Sequence, residues 1–158
     1  METIFTAVRS LLYATGFFTV SLYLALAIRN LDGRMPAEIQ PISMGVVLIL
    51  GGLALALASV AAFVTRGRGT PAPFDAPRRF VAVWPYSMVR NPMYIGGLTA
   101  LIGLALYLGS LAILVFGILW GMFAHLFVVL YEEPVLRSKF GEEYEAYCAQ
   151  VARWIPWR

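Results

Sequence analysis

The sequence predicts an all-α integral membrane protein: four transmembrane helices, the last two a tight hairpin, and a C-terminal amphipathic helix at the interface. Three observations predict it: a composition too apolar for a water-covered globule, three long uncharged stretches, and basic residues placed beside those stretches. Of 158 residues, 60% are hydrophobic and only 13% charged, with a mean hydropathy of +0.75. Soluble domains run about 45–50% apolar and about 25% charged. So little polar surface cannot cover a globule in water, and lipid is the expected solvent. The same numbers exclude extended disorder, which needs low hydrophobicity and high charge. Cys148 is the single cysteine and His125 the single histidine, which excludes an intramolecular disulfide and a Cys/His metal cluster.

Ser10 to Ile28 is an uncharged run of 19 residues and Ile42 to Val64 one of 23. Each is long enough to cross about 30 Å of hydrocarbon as a helix. Asn91 to Tyr131 holds 41 residues without Asp, Glu, Lys or Arg, twice what one crossing needs, so it must fold back. Leu108-Gly109-Ser110 is the place for the bend, because Gly accepts turn dihedrals and Ser competes for backbone bonds. The expected spans are about 8–28, 42–65, 93–108 and 111–131 in a single domain of residues 1–158. A cytoplasmic loop covers 66–92 and a cytoplasmic C-terminal helix 134–150.

Four spans put Arg9, Arg66, Arg68, Arg78, Arg79, Arg90, Arg137, Lys139, Arg153 and Arg158 on one side, which is 10 of the 12 basic residues. The positive-inside rule then places both termini and the 66–92 loop in the cytoplasm, with the bacterial inner membrane favoured over the endoplasmic reticulum. A net charge of +3 is explained by this rim and needs no nucleic acid as partner. Ala25-Leu26-Ala27 has the small-x-small form of a leader cleavage site. Glu2, a lone Arg9 and the length of the apolar run argue instead for a retained helix. Gly117-x-x-x-Gly121 marks a close helix contact, with a span of this chain or of another copy, so the oligomeric state stays open.

Polar groups in or against hydrocarbon are costly and are candidates for function. His125 lies inside the fourth span. Glu132 follows seven residues later, two α-helical turns on, and is expected on the same face. Two carboxylates ending a helix oppose its macrodipole, so Glu132-Glu133 calls for a cation nearby: an arginine of the 66–92 loop or a positively charged ligand. Asn91 suits the N-cap of the third span and Pro92 its first turn. The free amides there, with Arg90 beside them, suit an anion or carboxylate, while a capped helix with an aromatic and arginine belt explains the same residues equally well. Leu136, Phe140, Tyr144 and Tyr147 recur at helical spacing after Pro134. That amphipathic helix either lies on lipid or closes a pocket over Arg90, Asn91 and Glu132, with 151–156 returning along the same surface. There is no G-x-G-x-x-G after a strand, no Walker loop and no G-x-S-x-G.

Arg90-Asn91-Pro92-Met93-Tyr94-Ile95-Gly96, an apolar hairpin, Glu132-Glu133-Pro134-Val135-Leu136, Phe140-Gly141-Glu142-Glu143-Tyr144, Tyr147 and Arg153-Trp154-Ile155-Pro156 follow one another. This order resembles the isoprenylcysteine carboxyl methyltransferase and phospholipid N-methyltransferase superfamily over roughly residues 78 to 156. The first two spans match it only in being hydrophobic. The resemblance implies an integral-membrane methyltransferase using S-adenosylmethionine, with S-adenosylhomocysteine as product, in a cytoplasm-facing pocket without a Rossmann fold. Carried over residue by residue, it nominates Arg78, Arg79, Phe80, Val81, Tyr86, Asn91, Pro92, Met93, Tyr94 and Glu132 for the cofactor. Trp84-Pro85-Tyr86 departs from the family's usual Gly-x-Tyr. Val128 stands where the isoprenylcysteine enzymes carry an arginine for the substrate carboxylate, which argues against a prenylcysteine acceptor.

On this reading Glu132 meets the sulfonium cation, Arg90 and the helix amides hold the cofactor carboxylate, and His125 takes a proton from an amine or thiol acceptor. The partners implied are membrane lipids and a lipid-like or otherwise hydrophobic methyl acceptor arriving through the bilayer. The rivals are an NADPH-dependent sterol-reductase-like enzyme and a non-catalytic small membrane protein.

Overall fold

The computed structural model describes residues 2–29, 41–67 and 80–156. Among these residues the chain is all-helical and has no strand. Helix α1 runs Glu2–Ile28, α2 Ile42–Ala62, α3 Pro92–Leu108, α4 Leu111–Phe127, α5 Glu133–Phe140 and α6 Glu142–Gln150. Wide π-type turns extend α2 over Phe63–Gly67 and join α4 to α5 over Val128–Glu132.

The expected hairpin bend is where the sequence puts it. Gly109 adopts φ 62°, ψ 36° and stops α3, a left-handed conformation that costs glycine little. Ser110 then caps α4, its hydroxyl accepting from the Ile113 amide at 3.2 Å. Two helical stretches, Ile42–Gly67 and Leu111–Phe140, are long and apolar enough to cross a bilayer, Pro92–Leu108 is apolar but shorter, and Thr15–Ile28 is the apolar part of the 27-residue α1. Among the described residues two of the four expected spans thus have clear spanning length, and α3 falls short of it. The reason for α3 is that the turn ends it after 17 residues, about 25 Å of rise.

The C-terminal helix also differs from expectation. The helical stretch does not end at Glu132; through the wide turn it continues as α5 to Phe140, and Pro134 falls in the first turn of α5, where its missing N–H costs least. The break comes at Gly141, with φ 51°, so the expected 134–150 helix is two pieces, α5 and α6.

Helices α2 and α3 touch backbone to backbone. A Cβ placed on Gly52 would lie 2.5 Å from the Gly96 carbonyl oxygen, and one on Gly103 would lie 2.7 Å from that of Gly45. Small residues permit this approach where hydrophobic association gives no help between lipid-solvated helices. Gly117 and Gly121 face Leu101 and Leu98 of α3, so that pair serves a contact within the chain. Trp120 of α4 seats against Gly97 and donates from Nε1 to the Ser21 hydroxyl of α1 at 3.3 Å. Its ring lies 6.1 Å from that of Tyr94, which joins the core to the site.

Candidate functional site

The site forms at one end of the helices, where the loop before α3, the joint of α4 and α5, and α6 with its continuation converge. Aromatic packing assembles it. Phe80 meets the ring of Tyr147 at 4.9 Å and that of Phe140 at 5.4 Å, and Phe63 meets Tyr86 at 5.0 Å, edge to face. The Tyr147 hydroxyl donates to the Tyr86 carbonyl at 2.6 Å. Burial pushes the Tyr86 phenol well above its ordinary range, the negative charge of Glu132 adding to the effect. Burial also raises Tyr147. Both therefore stay neutral donors at physiological pH. After α6 the chain returns along the loop: the Arg90 amide donates to the Ala152 carbonyl at 2.9 Å, and the Asn91 side-chain amide donates to the Arg153 carbonyl at 3.1 Å. The amphipathic segment closes over Arg90, Asn91 and Glu132, one of the two roles expected of it.

The two adjacent glutamates have opposite surroundings. Glu133 is 2% exposed and gathers three arginines. Arg90 Nη1 lies at 3.0 Å, Arg153 Nε at 2.7 Å with its Nη2 at 3.1 Å, and Arg137 at 3.5 Å. The bond from Arg153 to Glu133 holds that guanidinium yet more firmly in its charged form. Glu132, one residue earlier, has no ion pair among the described residues; it accepts from the Tyr94 hydroxyl at 2.6 Å. The wide turn explains the split. The Glu133 amide bonds back five residues to Val128, which inserts one residue into the helical count.

That extra residue also separates His125 from Glu132. Seven α-helical residues return to within about 20° of the starting direction, but one residue taken up by the wide turn leaves the two side chains roughly 120° apart. The expected same-face pair is therefore not formed. His125 is on the exposed side, where its Nδ1 accepts from Trp154 Nε1 at 3.0 Å.

Of the nominated residues, Phe80, Val81, Tyr86, Asn91, Met93, Tyr94 and Glu132 line one cleft together with Arg90. Pro92 is fully buried behind it, and Arg78 and Arg79 lie outside the described residues. The cleft encloses about 70 Å³. Asn91 occupies the N-cap position without a side-chain cap bond, because its amide is turned to Arg153 instead. Arg90 spends Nη1 on Glu133 and on the Cys148 sulfur at 3.0 Å. Its Nε–H is the one buried side-chain polar atom without a partner among the described residues. Sequence reasoning called for a cation beside the glutamate pair, and Arg90 of the loop supplies it to Glu133; it missed Arg137 and Arg153 as further partners. Val128, which stands where the isoprenylcysteine enzymes carry an arginine, is 1% exposed and lines the cleft. Only the pairing of charges across 20 residues would have revealed Arg153.

The chemistry on offer is a carboxylate without a cation, a buried guanidinium N–H without an acceptor, and aromatic walls. No group of His, Cys, Asp and Glu among the described residues is arranged to hold a metal. A comparison with curated proteins finds none that matches. The sequence profile of the phospholipid methyltransferase family matches residues 40–143. That match reaches back over α2, further than the resemblance in the sequence extends, and stops at the start of α6. It covers well over half of the chain and contains the hairpin, both glutamates and most of the cleft, so the chain belongs to the phospholipid methyltransferase family and is an integral membrane methyltransferase.

Proposed function

We propose that the chain transfers a methyl group from S-adenosylmethionine to a lipid-like acceptor, a phospholipid amine in the first instance, as the family's description suggests. The observation that carries this reading is Glu132, a carboxylate in an aromatic cleft with a tyrosine hydroxyl for company and no cation among the described residues. A sulfonium or ammonium group supplies the missing charge. The unpartnered Nε–H of Arg90 supplies the matching donor for the cofactor carboxylate, and Phe80, Tyr86 and Tyr147 offer faces for an adenine ring. The donor set therefore fits a zwitterionic, ring-bearing cofactor.

When bound, S-adenosylmethionine supplies an electrophilic methyl group and departs as the neutral thioether S-adenosylhomocysteine. The residues of the chain do the rest. Tyr94 fixes the Glu132 rotamer through the 2.6 Å bond, Glu132 binds the cationic end, Arg90 orients the carboxylate, and the aromatic walls exclude water during the displacement. His125, on the outer side and bonded to Trp154, has no part in proton transfer in this reading. The acceptor reaches the cleft from the bilayer. A prenylcysteine carboxylate is disfavoured, since position 128 of the cleft wall is a valine and not the arginine that the isoprenylcysteine enzymes carry there.

The same proposal includes the membrane arrangement. Thr15–Ile28 and Pro92–Leu108 cross beside the two longer helices to give four spans. Both termini and the cleft face the cytoplasm, as the concentration of basic residues on that side favours, in a bacterial inner membrane. The test is transfer of labelled methyl from S-adenosylmethionine into vesicles containing phosphatidylethanolamine, with vesicles of phosphatidylcholine alone as control. Label in the first and not the second supports the reading. Failure in both, with a folded protein that binds S-adenosylhomocysteine, sinks the amine acceptor and keeps the cofactor. Binding of NADPH in place of S-adenosylhomocysteine overturns the cofactor.

A further inference from the structure

Residues 142–156 form one unit that rests on the cleft and is joined to the rest of the chain by Gly141. That glycine has φ 51°, nothing lies within 4 Å of a Cβ built on it, and the exposed Arg137–Glu145 ion pair spans the joint at 2.8 Å. The unit is held down by separable polar ties. Tyr147 bonds the Tyr86 carbonyl, Ala152 and Arg153 offer carbonyls to Arg90 and Asn91, Trp154 bonds His125, and Arg153 makes a bidentate pair with Glu133. Glu133 is the place where three parts meet: it binds Arg90 from the loop, Arg137 from its own helix and Arg153 from the returning segment.

The cleft encloses about 70 Å³, several-fold less than the roughly 300–1,000 Å³ of sites that hold cofactor-sized ligands. Something must move before such a ligand can be seated, and the unit beyond Gly141 is the wall with a glycine joint and breakable ties. We propose that Glu133 is a positioning residue: its carboxylate is the clasp that holds residues 142–156 shut over the cleft, and exchange of the cofactor requires that clasp to open. The clasp rests on the geometry alone, while the identity of what it encloses rests on the S-adenosylmethionine reading above.

Cys148 lies on the unit, half-buried, with its sulfur bonded by Arg90, and it is the only cysteine of the chain. Its rate of reaction with a maleimide therefore reports opening. Labelling of the detergent-purified protein is measured for the native sequence, Glu133→Gln, Arg153→Gln and Arg153→Lys, with and without saturating S-adenosylhomocysteine. Expected are rates about tenfold or more faster in Glu133→Gln and Arg153→Gln, a rate restored toward the native one in Arg153→Lys, and slowing of the native protein by S-adenosylhomocysteine. Arg153→Gln, at a partly exposed side chain, keeps the test open if Glu133→Gln does not fold. Native-like labelling in the folded glutamine variants overturns the clasp. Fast labelling in the variants, with no slowing by S-adenosylhomocysteine that calorimetry shows to be bound, overturns its link to cofactor exchange. Absence of S-adenosylhomocysteine binding counts against the methyltransferase cofactor, and the variants' rates still decide the clasp.

Discussion

The α2–α3 seam and the cluster at Glu133 both bring distant parts of the chain into close contact, and they use opposite materials. At the seam glycines remove side chains altogether, so that Gly52 and Gly96 back onto each other's carbonyl oxygens. At the cluster a buried carboxylate is surrounded by long arginines from three segments. The seam depends on shape and has no polar group to be released. The cluster depends on charge and can be undone one bond at a time. A helical scaffold that stays put and a site that opens thus follow from different residue types.

The largest expected effect tests the first half of that contrast. In Gly52→Leu the new side chain starts from a Cβ 2.5 Å from the Gly96 oxygen, a clash of Cβ with backbone that no rotamer relieves. A loss of more than about 3 kcal/mol is expected, seen as failure to recover monodisperse protein by size exclusion. Glu133→Ala follows, leaving Arg90 and Arg153 facing one another without their shared anion. Its expected cost is about 3–5 kcal/mol, read from thermal melting in detergent. Tyr147→Phe removes one tie and leaves the aromatic packing, for about 1 kcal/mol by the same melt.

A pH series sharpens the contrast further. Tyr86 and Tyr147 titrate higher in the fold than in the unfolded chain because burial disfavours the phenolate. Their contribution is complete below the unfolded value of about 10 and is lost as pH rises above it, because the unfolded phenols then ionise while the folded ones do not. Melting temperature is expected to hold from pH 8 to about 10 and to fall beyond it, with a smaller fall in Tyr147→Phe.

What the sequence makes legible is local. Uncharged runs located the helices, and Gly109-Ser110 located the hairpin, because left-handed dihedrals and a hydroxyl cap are properties of single residues. The resemblance carried Tyr94 and Glu132 to the cleft. The wide turn at Val128–Glu132 was not legible, since no residue type demands it, and one inserted position was enough to take Glu132 off the face that carries His125. The fourth span was expected to end at the glutamate pair; the helical stretch continues into α5 because Pro134 takes a first-turn position there and does not break it. The role of Glu133 depends on Arg90 and Arg153, which lie 43 and 20 residues away, a separation that periodicity does not span.

The central claim is that adjacent glutamates divide the work, Glu132 holding the cofactor and Glu133 holding the fold of the site. The measurement that tests it most directly is calorimetric binding of S-adenosylhomocysteine together with the melting temperature of Glu132→Gln and Glu133→Gln. The account predicts that Glu132→Gln melts like the native protein and loses binding, and that Glu133→Gln melts lower by several degrees. Native-like binding in Glu132→Gln, or equal loss of stability in both, would contradict it.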